Sequence, residues 1–182
     1  MLKWLMALGT CGLLAFTPAQ AAGTFTPSVL SAHSVLDLDT ADGSSSMWSS
    51  GGIGGFDALR TTLQIHRFGK DPKWLTTTLI SLKHGSDWVG FRVARHVPDG
   101  PLLMTIERYV GGTDTVVQTF AATLALDQKL DVALDWTADG TLTVRAGDET
   151  AQAVSLGTPF DTLQVSNSTC EAEFNPLQIG NL

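Results

Sequence analysis

Hydrophobic residues alternate with polar ones along most of this chain, with the period of two that sets one face of an extended segment against a core and the other in water. The clearest instance spans residues 129–147, KLDVALDWTADGTLTVRAG. Leu130, Val132, Leu134 and Trp136 share one face of a first run, and Leu142, Val144 and Ala146 share one face of a second. Between them Thr137-Ala138-Asp139-Gly140 ends in an Asp-Gly pair, whose glycine takes the positive φ that a tight reversal needs. The pattern predicts a hairpin of two antiparallel strands with one buried face. Asp131 and Asp135 on its outer face have no partner visible in the sequence, so the hairpin reads as scaffold.

The same alternation recurs on both sides of the hairpin. Residues 35–39 read as a short edge strand, and residues 59–110 as a meander of four strands. In 61–68, Leu63 and Ile65 share the core face, leaving Thr62, Gln64 and His66 on the other. Residues 74–83 are apolar on both faces and read as central. In 87–96, Val89, Phe91 and Val93 point one way and Trp88, Arg92 and His96 the other; in 102–110, Met104 and Ile106 oppose Thr105, Glu107 and Tyr109. Further strands are predicted at 115–120, 123–126, 150–156 and 162–165. Residues 43–55, GSSSMWSSGGIGG, have a composition that disfavours helix and strand alike, and predict a loop. Its Met47 and Trp48 are read either as a lid over a ligand or as a plug on the domain's own core. No amphipathic helix of ordinary length is visible. Many short strands punctuated by Gly and Asp turns predict an all-β, two-sheet antiparallel β-sandwich or jelly roll, one domain over residues 22–182.

The N-terminus changes the picture by predicting export from the cytoplasm. Lys3 supplies a positive start, residues 4–16 an apolar stretch and Ala19-Gln20-Ala21 a small-x-small cleavage site, so residues 1–21 read as a signal peptide. A secreted or periplasmic protein of bacterial type is expected. Leu8-Gly9-Thr10-Cys11 loosely matches a lipoprotein box, but the apolar stretch before it is very short and the residues after it are greasy. No later apolar run approaches a membrane span, so no membrane insertion is expected. The chain carries 11 basic and 18 acidic residues for a net charge of −7. Lys3 is the only charged residue of the leader, so the remainder stands at −8. Nucleic acid and anionic membrane surfaces therefore make poor partners. Beyond Cys11, Cys170 is alone and reads as a small buried thiol.

Residues 126–147 together with the later LGTPFDTLQVS resemble the concanavalin A-like lectin/glucanase superfamily, especially its laminin G-like domains, in which a strand passes through an Asp-Gly turn into a second strand. That resemblance implies a concave sheet that commonly binds glycans, with chemistry optional. The glucanase E-x-D-x-x-E strand and a full acidic calcium site are absent from the sequence. Gln64-Ile65-His66 separately resembles the Q-I-H motif of jelly-roll alginate lyases. In that reading Arg92 neutralises a uronate, His66 is the base, and Tyr109, the only tyrosine, is acid or base. The R-x-E-L-R and Y-x-K-x-G-x-Y-x-Q strands of those lyases are missing.

Among candidate chemistries, Glu171 and Glu173 share a strand face and could form the carboxylate pair of a glycosidase, but they read as an exposed polar edge. Asp37, Asp39 and Asp42 before Gly43 suggest calcium, although their spacing misses the EF-hand pattern and a solvated turn is the plainer reading. His33, His66, His84 and His96 are dispersed, with no pair at metal spacing. No cofactor is expected. The leading expectation is a non-catalytic protein that binds a glycan or other cell-surface ligand through Gln64, His66, Trp88, Arg92, His96, Glu107 and Tyr109. The alternatives are a polyuronate lyase and a structural envelope or interaction protein.

Overall fold

The alternating runs pair into two antiparallel sheets whose apolar faces pack together. The computed structural model describes residues 24–28, 35–69, 71, 73–97, 100–151 and 153–182. The expected signal peptide, Cys11 and His33 lie outside them. The described strands are β1 (Thr26–Pro27), β2 (Leu36–Asp39), β3 (Ser45–Gly51), β4 (Ala58–Phe68) and β5 (Thr77–His84). They continue with β6 (Asp87–Arg95), β7 (Leu102–Val110), β8 (Thr113–Leu124), β9 (Lys129–Trp136) and β10 (Thr141–Ala146). The last are β11 (Glu149–Thr150), β12 (Val154–Ser155), β13 (Thr162–Ser168), β14 (Cys170–Phe174) and β15 (Gln178–Asn181). One sheet has the order β3-β13-β5-β6-β7-β8. The other runs β1-β15-β4-β9-β10-β11, with β12 on β10 and β14 pairing both β2 and β4. No described helix is long and apolar enough to cross a membrane.

The β9–β10 hairpin forms as its pattern predicts. Trp136 pairs with Leu142 and Leu134 with Val144, and all four side chains are buried. Gly140 closes the turn at φ 78°, donating its N–H to the Thr137 carbonyl at 2.9 Å. A Cβ at Gly140 would fall 1.8 Å from the Thr158 carbonyl oxygen, so both torsion and space demand glycine. The Thr137 hydroxyl bonds to Asp139 and holds that carboxyl below the usual range.

Two expectations are corrected by the sheet order. Residues 59–110 do not form one meander: β4 lies in the nine-stranded sheet, whereas β5, β6 and β7 are neighbours in the other. The chain between β4 and β5 passes from one sheet to the other, which leaves Trp74 and Leu75 exposed ahead of β5 rather than inside a central strand. The Gly/Ser-rich stretch is also not a loop. Its residues 45–51 form β3, paired in unbroken register with Ser168 through Thr162 of β13. A preformed neighbour supplies the hydrogen bonds that override the low intrinsic strand preference of Ser and Gly. Trp48 packs against the core as a plug, while Met47 points out with 64% of its surface exposed.

Smaller differences have the same origin. Residues 113–124 form one strand because two register shifts against β7 absorb the irregularity. Residues 150–156 yield only the short β11 and β12, each pairing a different part of β10.

Candidate functional site

Strand register decides which side chains share a face. In the six-stranded sheet Val165, Ile80, Phe91 and Ile106 are cross-strand partners and belong to the core. The residues one step along each strand must then lie on the outer face. One outer row runs Ser49, Gln164, Ser81, Gly90, Glu107. Beside it lies Thr162, Lys83, Trp88, Tyr109, Asp114, and on its other side Met47, Ser166, Leu79, Arg92, Thr105. The central row carries small residues at Ser81 and Gly90, a low line or trough in the sheet over which the longer side chains of the flanking rows fold, leaving Ser81 and Glu107 buried. Gly90 is obligatory there, since a Cβ would approach the Ile80 carbonyl oxygen to 2.3 Å.

Trp88 and Tyr109, cross-strand partners, stack with ring centroids 6.0 Å apart and planes only 6° from parallel. The Arg92 guanidinium sits 5.8 Å from the Trp88 ring centroid. Glu107 is 2% exposed although it lies outside the core between the sheets. Its Oε1 accepts a hydrogen bond from the Thr105 hydroxyl at 2.9 Å. Its Oε2 lies 2.9 Å from Arg92 Nη1 without hydrogen-bond alignment, so the attraction there is Coulombic. Arg92 also approaches Asp114 at 3.9 Å, while its buried Nε has no hydrogen-bond partner among the described residues. Further along, Lys83 donates to Gln164 Oε1 at 3.1 Å.

Of the residues expected to bind ligand, the structure therefore brings together Trp88, Arg92, Glu107 and Tyr109. Gln64 and His66 are elsewhere. They project from β4 in the opposite sheet, away from the core occupied by Leu63 and Ile65. There they hold the turn between β8 and β9: Gln64 donates to the Asp127 carbonyl at 3.1 Å and His66 Nδ1 lies 2.8 Å from Asp127 Oδ1. Asp127 needs that support because its φ is 58°, a strained value for a residue with a side chain. His66, Arg92 and Tyr109 thus face opposite sides of the sandwich, and the single cleft required of a lyase is not formed. His96 lies past the end of β6, exposed and off the trough.

The acidic cluster is organised by Arg67. Its guanidinium reaches Asp39 at 2.8 Å, Asp42 at 3.3 Å and Glu171 at 3.9 Å. Those neighbours raise the Arg67 pKa, Asp39 first among them. A fixed cation thereby stands among the carboxylates suggested for calcium, while Asp37 pairs with Glu173 on the adjoining row. Among the described residues no three His, Cys, Asp or Glu side chains converge as a metal site. Glu173 accepts from the Asn175 amide at 3.0 Å, so both residues of the Glu171 and Glu173 pair serve side-chain networks. Cys170 is buried with its thiol pushed up to about 12 by desolvation.

Sequence reasoning missed Lys83, Gln164, Ser81 and Asp114. Alternation places Lys83 and Ser81 on a face, but only the register of β13 against β5 brings Gln164 beside them.

No family model matches the sequence, and no curated protein matches it significantly. Solved structures do match in shape. The carbohydrate binding module CBM66 from Bacillus subtilis superposes with a TM-score of 0.56 at 10% identity, covering 87% of this chain and 92% of that one. The CBM2 module of the Lactobacillus casei BL23 phage J-1 evolved Dit gives 0.53 at 9% identity, with 87% and 79% covered. Bacillus licheniformis β-glucanase gives 0.50 at 8% identity, with 80% and 77% covered. The fold is the concanavalin A-like β-sandwich. At such identities the likeness concerns the fold and leaves function to the site.

Proposed function

We propose that this protein is an exported, non-catalytic carbohydrate-binding β-sandwich whose ligand lies in the trough on the outer face of the six-stranded sheet. The observation that carries this reading is the placement, by register, of the parallel Trp88–Tyr109 pair beside Arg92 and Glu107. Aromatic rings present the flat apolar surface on which the C–H face of a sugar stacks, and the polar groups around them orient its hydroxyls. Arg92 and Lys83 donate, while Gln164 and Asp114 offer acceptors. The named carbohydrate-binding modules share the fold and support the same reading.

The neighbours of this fold include an enzyme, so the absence of catalysis rests on Glu107. Glycoside hydrolysis needs two carboxyl groups flanking the scissile bond, one of them free to give its proton to the leaving oxygen. Glu107 is enclosed by Arg92 and Thr105 and serves to hold the arginine in place. Export rests on the leader-like residues 1–21 and is checked by sequencing the N-terminus of protein recovered outside the cytoplasm.

Isothermal titration against a neutral β-glucan, a xylan and a polyuronate tests the ligand class. Binding to at least one, lost in Trp88→Ala while the circular dichroism spectrum is kept, is the expected result. Binding that survives Trp88→Ala excludes the trough, and appearance of unsaturated or reducing products excludes a purely binding role.

A further inference from the structure

The six-stranded sheet has two edges, and they are built differently. On β8 the register against β7 shifts twice, and the backbone N–H groups of Ala121 and Ala122 are both taken by the Glu149 carboxylate, at 3.0 and 2.8 Å. Bulges and a covering charge are devices that stop a sheet from continuing into another chain. The opposite edge, β3, has none of them. Its seven residues, SSMWSSG, contain no charge and no proline, and the register against β13 is unbroken. Among the described residues β13 is its only partner strand.

Hydrogen bonds just beyond each end of β3 show which backbone groups are turned outward. Gly52 donates to the Asp161 carbonyl, and Ser44 accepts from the Thr169 N–H. In an antiparallel ladder the residues that bond a given neighbour alternate. The even-numbered residues therefore face β13, and the N–H and C=O groups of Ser45, Met47, Ser49 and Gly51 point away from the sheet.

We propose that β3 is the homodimer interface, pairing antiparallel with β3 of a second copy about a two-fold axis at Trp48. With Trp48 opposite its own equivalent, Met47 faces Ser49 and Ser45 faces Gly51 of the second chain. All four outward-facing residues then form mutually bonded pairs, and no outward donor or acceptor in the strand is left over. Charge sets where a second copy can approach with least repulsion. A chain with a net charge of −7 repels itself over most of its surface. The outer row at this edge is neutral, with Ser45, Met47, Ser49 and Gly51 on β3 and Thr162, Gln164, Ser166 and Ser168 next to them on β13. The interface also covers Met47, the most exposed of the large apolar side chains among the described residues. It leaves the Trp88–Tyr109 pair on the other side of the sheet face uncovered and requires no ligand.

Sedimentation equilibrium of the protein without its leader, across a range of concentrations, tests the interface. The wild type should show twice the chain mass at high concentration and dissociate on dilution. Ser49→Pro removes an outward N–H but no bond to β13, so it should give the monomer mass with an unchanged circular dichroism spectrum. If that variant does not fold, the double variant Met47→Lys/Ser49→Lys decides, because it keeps the backbone and sets like charges opposite each other only in the dimer. A wild type that remains monomeric at every concentration overturns the proposal. So does a dimer that the folded proline variant, or the double lysine variant, leaves intact.

Discussion

His66 touches carboxylates from two separate elements, Asp127 in the β8–β9 turn at 2.8 Å and Glu173 on β14 at 3.8 Å. The bond to Asp127 leads the causes that raise its pKa, against a smaller opposing effect of desolvation; Coulombic attraction to Asp127, Glu171 and Glu173 adds to the rise. A histidine held this way binds its proton more tightly when folded, so protonation stabilises the fold. The contribution is complete below the unfolded-state pKa of about 6.5 and is lost as pH rises through the higher folded value. Urea denaturation of wild type and His66→Gln at a series of pH values should show the widest stability gap below about pH 6.5, narrowing above it. A gap that does not vary with pH would assign His66 the role of a neutral hydrogen-bond donor. Gly90 sets a second requirement at this scale, because a Cβ there meets backbone atoms that have no rotamer to escape through. Gly90→Ala should destabilise the protein by about 2 kcal/mol or more, seen as a lower urea midpoint with an unchanged slope. Neither role was legible in sequence. Alternation places His66 on a polar face and Gly90 between Trp88 and Arg92, but it is silent about which strand lies across from them.

At the scale of elements, Glu149 joins the two sheets. It sits in β11 of the nine-stranded sheet and accepts the two N–H groups that the β8 irregularity leaves without a ladder partner. Glu149→Ala should cost about 1–2 kcal/mol in the denaturation free energy, because two charge-assisted bonds are lost at a site open to water. Hydrogen exchange at Ala121 and Ala122 should quicken by more than at the centre of β7 if the loss is local to the edge. What sequence made legible at this scale follows from local physics. The β9–β10 hairpin needs only adjacent alternation and an Asp-Gly turn, so it is readable in full. Strand β3 is unreadable, because its Ser and Gly content argues for a loop and only the distant β13, more than a hundred residues later, makes it a strand. Assignment of β4 to the sheet opposite β5 fails to show for a similar reason: alternation gives the buried face of each strand but not the sheet to which it belongs.

For the whole molecule, the two outer faces differ in what their polar groups do. On the nine-stranded face they are largely engaged with each other: Arg60 lies 2.5 Å from Asp135, Arg145 lies 3.7 Å from the same carboxylate, and Thr62 donates to Asp131 at 2.7 Å. That face nevertheless holds a hollow of about 300 Å³ lined by Arg60, Thr62, Asp131 and Arg145, which makes it the natural rival for a ligand. The six-stranded face offers aromatic surface and a buried Arg92 Nε that lacks a partner among the described residues. A ligand that binds only the folded state raises stability by an amount set by its concentration relative to Kd, about 2.7 kcal/mol at a hundredfold excess. For a domain of this size that corresponds to a rise in Tm of about 5–10 °C. If the trough is the site, a binding glycan should raise the Tm of wild type, His66→Gln and Arg145→Ala alike, and leave that of Trp88→Ala where it was. The reverse result, a shift kept by Trp88→Ala and lost by Arg145→Ala, would move the site to the nine-stranded face. Because each variant changes one face and the readout is the shift on adding ligand, differences in starting stability cancel, and the measurement separates the faces even where a substitution weakens the fold.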